Sequence, residues 1–333
     1  MKKISLPDRT FAGALFSDGS ADPACSPRSM PVTPQAIFIR TLLCCLTLLT
    51  VMLNLLVIIS ISHFRQLHTP TNLILLSLAV SDLFVGLAVM PSAIISLQSC
   101  GFLGKITCAF LYLLGFILTS ASVGNMVLIS VDRYVAICDP LHYSSMITLS
   151  RVKICVSLCW LCAVIYNLII LKDHFSQIDL SNSCAHECVV VINYVSGAVD
   201  LLLTFLGPVT VIIVLYMRVF VVAVSQARIM RSQISTTKSN TVIVKKSEMR
   251  AARTLGITLL AFILCLCPYY INSLAGQNTT DSIASSAQNW LFYCNSMFNP
   301  LIYAFFYPWF RKAVKVIVRL QILQAGSRKA KMM

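Results

Sequence analysis

The chain has 333 residues, of which 57% are hydrophobic and only 11% are charged. An ordinary soluble domain carries roughly 25% charged residues, so this composition excludes one and indicates a protein that crosses a membrane several times. The formal net charge of +14 follows the membrane topology described below and attracts anionic lipid, and we do not read it as a sign of nucleic-acid binding.

Seven apolar stretches are each long enough to cross ~30 Å of hydrocarbon as a helix. They lie at 36–61, 71–97, 106–131, 151–171, 193–223, 253–274 and 285–306, and we number them spans 1 to 7. The sequence therefore predicts an all-α membrane protein built as a seven-transmembrane helix bundle. Its expected parts are an N-terminal segment (1–35), the transmembrane domain (36–307), and an eighth helix with a cytoplasmic tail (308–333).

The basic residues predict the orientation, because cytoplasmic loops carry the excess of Lys and Arg. Of 26 basic residues, 19 lie in or beside the loops after spans 1, 3 and 5 and in the tail after span 7. We therefore expect a multi-pass protein of the cell membrane with an extracellular N-terminus. The opening residues MKKISLPDRTF have no apolar core, so no cleavable signal peptide is predicted.

Span 2 places Asp82 in the apolar string LSLAVSDLFVG. A carboxylate at this depth needs a partner inside the bundle. Oxygen-bearing side chains on spans 3 and 7 suit a small cation or ordered water. The candidates are Ser122, Asn295, Ser296 and Asn299.

Span 3 ends in SVDRYVAICDP, with Asp132 and Arg133 at the cytoplasmic edge. A second acid, Glu248, stands at the start of span 6. A pair between Arg133 and a carboxylate of span 6 would hold the inner side of the bundle closed. The alternative is that these are surface charges among lipid headgroups.

Span 5 reads VSGAVDLLLTFLGP and contains the isolated acid Asp200. Ionisable residues inside a membrane are costly, so each is a candidate functional site. Asp200 precedes Pro208 by eight residues, which places it ~12 Å outward of that proline on a helix. The alternative is a structural acid held by hydrogen bonds.

Aromatic residues of spans 6 and 7 predict a cage for a cation, since ring faces attract positive charge. Thr119 and Thr204 would add hydroxyl contacts one turn deeper. Simple packing is the alternative for any one of these rings. The four aromatic candidates are Tyr269, Tyr270, Trp290 and Tyr293.

The string YPWFRKAVKVIVRLQ, which follows span 7, predicts an amphipathic helix at the membrane surface. Its expected apolar face runs from Trp309 and Phe310 to Leu320. No nucleophile–base pair or metal-ligand cluster is visible in the sequence, so an enzyme is not predicted. A transporter or channel would show duplicated halves, and this sequence has none.

Taken together, these motifs resemble the rhodopsin-like G-protein-coupled receptors from about residue 36 to 320. The resemblance is carried by Asp132-Arg133-Tyr134, by Asn299-Pro300 with Tyr303, and by one proline in each of spans 5, 6 and 7. The strings NPLIYAFFYPWFRKA and SEMRAARTLGI are similar to those of the trace amine-associated receptors.

The resemblance implies a receptor for a small cationic amine that activates a heterotrimeric G protein of the stimulatory class, raises cyclic AMP and serves olfaction. It implies that Arg133 forms the inactive-state lock, toward which Tyr216 and Tyr303 swing on activation. It implies no cofactor, although the Asp82 site resembles an allosteric sodium site.

The resemblance also suggests disulfides Cys108–Cys188 and Cys25–Cys184, which would fasten an outer lid. Separately, Asn278-Thr279-Thr280 forms a glycosylation sequon.

The pattern departs from the family at two positions. The amine-binding aspartate of aminergic receptors lies eighteen residues before the Arg133 position, where this chain has Gly115. Some fish trace amine-associated receptors are similar in carrying that acid on span 5, which makes Asp200 the expected counter-ion. Leu266 stands where the family has a tryptophan, with Phe262 one turn inward, so a receptor-like amine binder with weak or absent signalling is the alternative.

Overall fold

The computed structural model describes residues 10–13, 34–96, 105–172, 190–233, 256–258, 260–271, 282–324, 326–330 and 332. Eight helices of more than ten residues make up most of this part of the chain. They are α1 (Pro34–His63), α2 (Pro70–Phe84, continued by Val85–Val89 and Met90–Ser96), α3 (Lys105–Cys138), α4 (Leu149–Ile170), α5 (Tyr194–Asp200, Leu201–Leu206 and Gly207–Gln233), α6 (Gly256–Ile271), α7 (Ser282–Phe306) and α8 (Pro308–Val318).

Helices α1 to α7 coincide with the seven predicted spans, and the predicted helical bundle is confirmed. Within the described residues, five helices are long and apolar enough to cross a membrane on those two criteria alone, namely α1 to α5. Their outward faces are apolar, as shown by Phe38 (69% exposed), Ile169 (67%) and Val221 (62%). Exposed apolar surface on this scale is expected where lipid, rather than water, surrounds the helices.

Helix α3 lies at the centre of the bundle and packs against α2, α4 and α5. Helix α1 packs against α2 and α7, and α8 lies beside α1 and α7. The main cluster of buried side chains lies toward the predicted cytoplasmic half and includes Phe64, Leu78 and Met126. This arrangement makes α3 the element against which the others are positioned.

Side-chain hydrogen bonds join helices of the bundle. Asn54 Nδ2 donates to the Ser296 carbonyl oxygen at 2.9 Å and joins α1 to α7. Asn299 Nδ2 donates to Asp82 Oδ2 at 2.8 Å and joins α7 to α2. The indole N–H of Trp160 on α4 donates to the hydroxyl of Ser77 on α2 at 2.9 Å. Because lipid offers no competing partner, such bonds help to set helix rotation.

Helices α2 and α5 each contain a widened π-helical segment, Val85–Val89 and Leu201–Leu206. In both helices a proline, Pro91 or Pro208, is the second residue after the segment. A proline has no N–H and its ring collides with the carbonyl four residues earlier, so the preceding turn widens. Asp200 directly precedes the segment in α5, and the wider turn changes the direction in which its side chain points.

One small sheet accompanies the helices, which the all-α prediction did not include. Strand β1 (Thr10–Gly13) pairs antiparallel with β2 (Val190–Asn193), with Thr10 opposite Asn193. The two strands are far apart in the sequence, so no local periodicity announces their pairing. The sheet connects the N-terminal segment to the residues that lead into α5.

Helix α8 begins at Pro308, with Tyr307 as its extended N-cap, and buries Trp309, Phe310 and Ala313. It ends at Val318, and Leu320 follows with a φ of 56° and 67% of its surface exposed. The predicted extension of the apolar face to Leu320 is therefore wrong, because the backbone leaves the helix before that residue.

Candidate functional site

A cavity lies between α2, α3, α5, α6 and α7. Its wall is mostly apolar and aromatic, with Val89, Leu118 and Phe292 among the lining side chains. None of the described lining residues carries a charge. A concave, largely apolar site with a few polar groups is the usual form of a small-molecule site.

Six of the eight predicted ligand-binding residues lie on this wall. They are Gly115, Thr119, Thr204, Tyr269, Tyr270 and Tyr293. Thr119 directs its hydroxyl to the Gly115 carbonyl oxygen, one turn earlier in α3, at 2.9 Å. The other two predicted residues, Asp200 and Trp290, are not among the residues that line the cavity.

Asp200 is 8% exposed and turns toward α4. Its Oδ1 accepts a hydrogen bond from the Thr204 hydroxyl at 2.8 Å and another from the Tyr166 hydroxyl at 3.1 Å. Because Thr204 itself lines the cavity, the carboxylate lies one hydrogen bond from the cavity wall. Both of these donors reach the same oxygen, Oδ1.

Aromatic rings form a continuous series from the α5 side of the cavity to its α7 side. Phe205 stacks on Tyr270 with ring centroids 4.5 Å apart, and Tyr269 meets Tyr270 edge to face at 5.2 Å. The series continues from Tyr269 to Phe292 at 5.0 Å and from Phe292 to Tyr293 at 6.0 Å. These separations suit edge-to-face and offset contacts, so the series forms one aromatic wall. Trp290 contacts Tyr293 edge to face, with the two ring centroids 5.7 Å apart.

Gly115 opens space on the α3 side of the cavity. A Cβ placed on Gly115 would find nothing nearer than Val89 Cγ1, at 3.8 Å. The position therefore tolerates a side chain sterically, and glycine leaves that volume to the cavity.

Leu266 and Phe262 both line the cavity and are 2% and 1% exposed. They belong to the main core cluster, which runs from the cavity toward the predicted cytoplasmic side. Leu266 therefore lies between the cavity and the rest of the main core cluster.

The inner end of the cavity is polar and adjoins Asp82. Ser122, Asn295 and Ser296 line it. Asp82 Oδ1, Ser122 Oγ and Asn295 Oδ1 are buried and have no hydrogen-bond partner among the described groups. Three oxygens of this kind could coordinate a small hard cation or form hydrogen bonds with water. No group of three or more His, Cys, Asp or Glu suited to a metal occurs in the described part of the chain.

At the predicted cytoplasmic end, Asp132 organises a network of four side chains. Its carboxylate accepts from the Thr71 hydroxyl, from Arg133 Nε and from the Tyr143 hydroxyl, each at 2.9 Å. Arg133 also donates to Thr71 Oγ1 at 2.7 Å. The carboxylate is 1% exposed, whereas the guanidinium is 17% exposed. The network joins α2, α3 and the helical turn Tyr143–Met146.

Tyr143 lies outside the predicted spans, and its phenol remains a donor in this network. Burial raises the pKa of the Tyr143 hydroxyl above its ordinary value. The group is therefore protonated near neutral pH and donates to Asp132. Neither Thr71 nor Tyr143 was among the predicted site residues.

Tyr216 and Tyr303, the two predicted switch tyrosines, have different surroundings. The Tyr216 ring lies against α6, where a Cβ on Gly256 would collide with its hydroxyl oxygen. The Tyr303 hydroxyl is buried and has no hydrogen-bond partner among the described groups. Pro300 lies inside α7 one turn before Tyr303.

Several predicted residues lie outside the described part of the chain, namely Glu248, Cys25, Cys184, Cys188 and Asn278. Cys108 belongs to α3, but its side chain also lies outside the description. The two disulfides, the Glu248 contact and glycosylation at Asn278 stay predictions.

Sequence reasoning missed the partners of the buried acids rather than the acids themselves. Tyr166, Thr71 and Tyr143 each donate to a predicted carboxylate from a different element. A buried acid does require donors, so the need was predictable. No spacing rule identifies which hydroxyl on another helix will supply it.

Comparison with known proteins agrees with this architecture. Residues 53–303 match the family model described as the 7 transmembrane receptor (rhodopsin family). Trace amine-associated receptor 8a of Rattus norvegicus is 38% identical over 82% of this chain and 84% of its own length. Trace amine-associated receptor 13c of Danio rerio is 35% identical over 97% of this chain and 98% of its own length.

The Asp132 network generates a stability prediction. Thr71→Val and Tyr143→Phe each remove one hydroxyl donor from a carboxylate that is 1% exposed. We expect each to cost about 1–3 kcal/mol of unfolding free energy, the usual effect of a lost hydrogen bond to a buried charge. Thermal unfolding of the detergent-solubilised protein measures this.

The matched control is Ser145→Ala, which removes an exposed hydroxyl from the same loop, bonded only to the His142 carbonyl oxygen. The double variant should deviate from additivity, because both donors share Asp132. If Thr71→Val and Tyr143→Phe melt like Ser145→Ala, the network does not stabilise the inner end.

Proposed function

The chain belongs to the rhodopsin family of seven-transmembrane receptors and to its trace amine-associated subfamily, and we propose that it binds small cationic amines through Asp200. Membership makes it a multi-pass membrane receptor, not an enzyme, with a small-molecule ligand and a heterotrimeric G protein as partner. We further propose that the N-terminus is extracellular, that the G protein is of the stimulatory class and raises cyclic AMP, and that the receptor serves olfaction.

One observation carries the amine proposal. Asp200 lies one hydrogen bond behind the cavity wall on the α5 side, through Thr204, whereas Asp82 adjoins the polar inner end of the cavity and is bonded to Asn299. An ammonium that leaves water needs a paired charge. Because Tyr166 and Thr204 both donate to Oδ1, the other carboxylate oxygen is available to accept a short, charge-assisted bond.

The ligand orientation follows from the position of the acid. Gly115 replaces the span-3 acid of aminergic receptors, so the ammonium lies on the α5 side and the remainder of the ligand extends toward α3 and α7. Tyr269 and Tyr270, next to this end, contribute cation–π attraction of ~0.5–2 kcal/mol each. The aromatic wall then contacts the apolar body of the ligand.

The inner end of the bundle acts as a latch in this proposal. Asp132, Arg133, Thr71 and Tyr143 keep it closed in the resting state, with Glu248 as the further acid on the span-6 side. Ligand binding shifts the population toward an open state, and Tyr216, Asn299, Pro300 and Tyr303 are the α5 and α7 residues that rearrange. Variants Thr71→Val and Tyr143→Phe should accordingly raise basal cyclic AMP at equal surface expression.

A receptor with weak signalling is the second candidate function, and Leu266 is the observation that favours it. A leucine at this point of the cavity provides less contact area than a tryptophan for transmitting ligand position to Phe262. The amine site itself would be unaffected, so binding and signalling would separate.

We propose that Asp82, Ser122, Asn295, Ser296 and Asn299 bind a sodium ion. The support is the set of partnerless buried oxygens beside a single carboxylate. The ion would act allosterically, by favouring one packing of α2, α3 and α7 over the other.

The Asp200 prediction concerns removal of the charge, with the side-chain shape kept in Asp200→Asn and lost in Asp200→Ala. Asp200→Asn and Asp200→Ala should lower amine potency about 10- to 150-fold, the worth of one hydrogen bond to a charged group. Cyclic-AMP reporting in cells across a panel of mono- and diamines measures this. Asp139→Asn, a change at an acid whose side chain is 49% exposed in an inner loop, is the control and should leave potency unchanged. If amines activate both Asp200 variants as well as wild type, the site assignment is wrong.

The sodium prediction concerns agonist affinity. Replacing sodium by potassium at constant ionic strength should shift amine affinity in the wild type, and Asp82→Asn should remove that shift. Competition binding on membranes provides the measurement. An equal sodium effect in both proteins would contradict the site.

The Leu266 prediction separates binding from signalling. Leu266→Trp should increase the maximal cyclic-AMP response while amine affinity changes less than threefold, because the added ring contacts Phe262 and not the acid. Dose–response curves and ligand-induced thermal shifts of the same variant measure the two quantities. An unchanged maximum would exclude Leu266 as a cause of weak coupling.

A further inference from the structure

A buried phenol on α7 indicates a second feature that a ligand of the cavity should have, besides its ammonium. Tyr293 lines the cavity, is 3% exposed, and has a hydroxyl oxygen with no hydrogen-bond partner among the described groups. A buried donor left unpaired costs about 1–3 kcal/mol. A ligand group that accepts its proton would recover that free energy, so the cavity favours ligands that bring one.

The position of Tyr293 identifies which end of the ligand this group belongs to. Tyr270 is linked to Tyr293 by ring-to-ring steps of 5.2, 5.0 and 6.0 Å along the aromatic wall. Asp200 and Thr204 lie on the α5 side, where this series begins. A ligand whose ammonium pairs with Asp200 therefore reaches Tyr293 with its opposite end.

The charge of the cavity wall limits what that opposite end can be. The described acids other than Asp200 are Asp82, at the inner end of the cavity, and Asp132 and Asp139, at the predicted cytoplasmic side, so a second ammonium at Tyr293 would leave water without a counter-ion beside it. No described lining residue is basic, which disfavours a carboxylate. A neutral oxygen needs neither charge and accepts directly from a phenol.

Gly115 supplies the room for such a group. A Cβ there would have no neighbour closer than 3.8 Å, and in that open volume a ligand oxygen can approach the wall without displacing a side chain.

We propose that Tyr293 donates a hydrogen bond to a neutral oxygen at the far end of the ligand, so that the cavity selects monoamines that carry a hydroxyl or ether opposite the ammonium. The inference rests on the proposed amine site at Asp200 and extends it to the chemical class of the ligand. Diamines and unsubstituted alkylamines are expected to bind less tightly than this class.

Matched ligand sets test this selection. For each chain length from three to eight carbons, the set contains the alkylamine, the ω-hydroxyalkylamine, the ω-methoxyalkylamine and the α,ω-diamine. At the chain length that fits best, the hydroxy and methoxy compounds should bind about three- to tenfold more tightly than the alkylamine, the worth of one neutral hydrogen bond. The ether oxygen of the methoxy compound can only accept, so its advantage shows that the receptor is the donor.

Tyr293→Phe removes the hydroxyl and keeps the ring. It should abolish the advantage of the oxygen-bearing compounds while the alkylamine binds equally well or more tightly, because no unpaired donor remains. Tyr270→Phe is the matched control at the other end of the wall, and it should preserve the ratio between the compounds. Ligand-induced thermal shifts of the purified receptor report affinity even if signalling is weak.

The outcomes separate the two proposals. If Asp200→Asn weakens every amine but the oxygen-bearing compounds show no advantage, or keep it in Tyr293→Phe, the Tyr293 inference is wrong and the amine site stands. If the diamine binds most tightly, the inference is also wrong. If no amine binds, or if Asp200→Asn changes none of the affinities, the amine site fails and this inference fails with it.

Discussion

The hydrogen bond from Asn299 to Asp82 joins α7 to α2 deep in the bundle, and it illustrates the constraint on which the whole structure depends. Lipid offers no partner to a polar group, so a polar side chain that enters the bundle is costly unless its own helix, another helix, water or a ligand supplies one. Pairs of this kind set the rotation of helices whose apolar faces could otherwise pack in many ways. The same constraint governs Asp200, which finds its donors on α4, in Tyr166, and on its own helix, in Thr204.

The main feature of the cavity is the position of its nearby acid, which lies on α5 instead of α3. With glycine at position 115, no acid stands on the α3 side, and the carboxylate within reach of the wall belongs to α5. The Tyr293 hydroxyl, on the side that lacks the acid, is buried without a protein partner among the described groups. The two ends of the cavity therefore differ in kind, one ionic and one neutral, with aromatic rings between them. If the chain binds amines as proposed, this difference between the two ends would distinguish amines by their far end as well as by their charge.

Hydropathy along the sequence predicted the number and the approximate positions of the helices. The details that it did not predict have physical causes. The apolar span 3 was predicted to reach 131, and the helix α3 that contains it continues to Cys138. Helical hydrogen bonds do not depend on hydropathy, so Asp132 and Arg133 lie inside the helix. The segment Leu201–Leu206 was counted as regular helix, but a widened turn before Pro208 changes the direction of Asp200. The rise per residue of a regular helix gives the depth of Asp200 in the membrane. It does not give the direction of the Asp200 side chain around the helix axis.

The sequence by itself determined the solvent, the number of spans, the location of the buried acids and the absence of an acid at position 115. These are local or additive properties, since hydrophobic length and composition can be summed along the chain. Only the tertiary structure decided that Asp200 faces α4 behind Thr204, that Tyr143 reaches Asp132, and that Tyr293 lies on the cavity wall without a partner. Which groups meet depends on the rotation and approach of separate helices, and that is settled by packing among all of them at once.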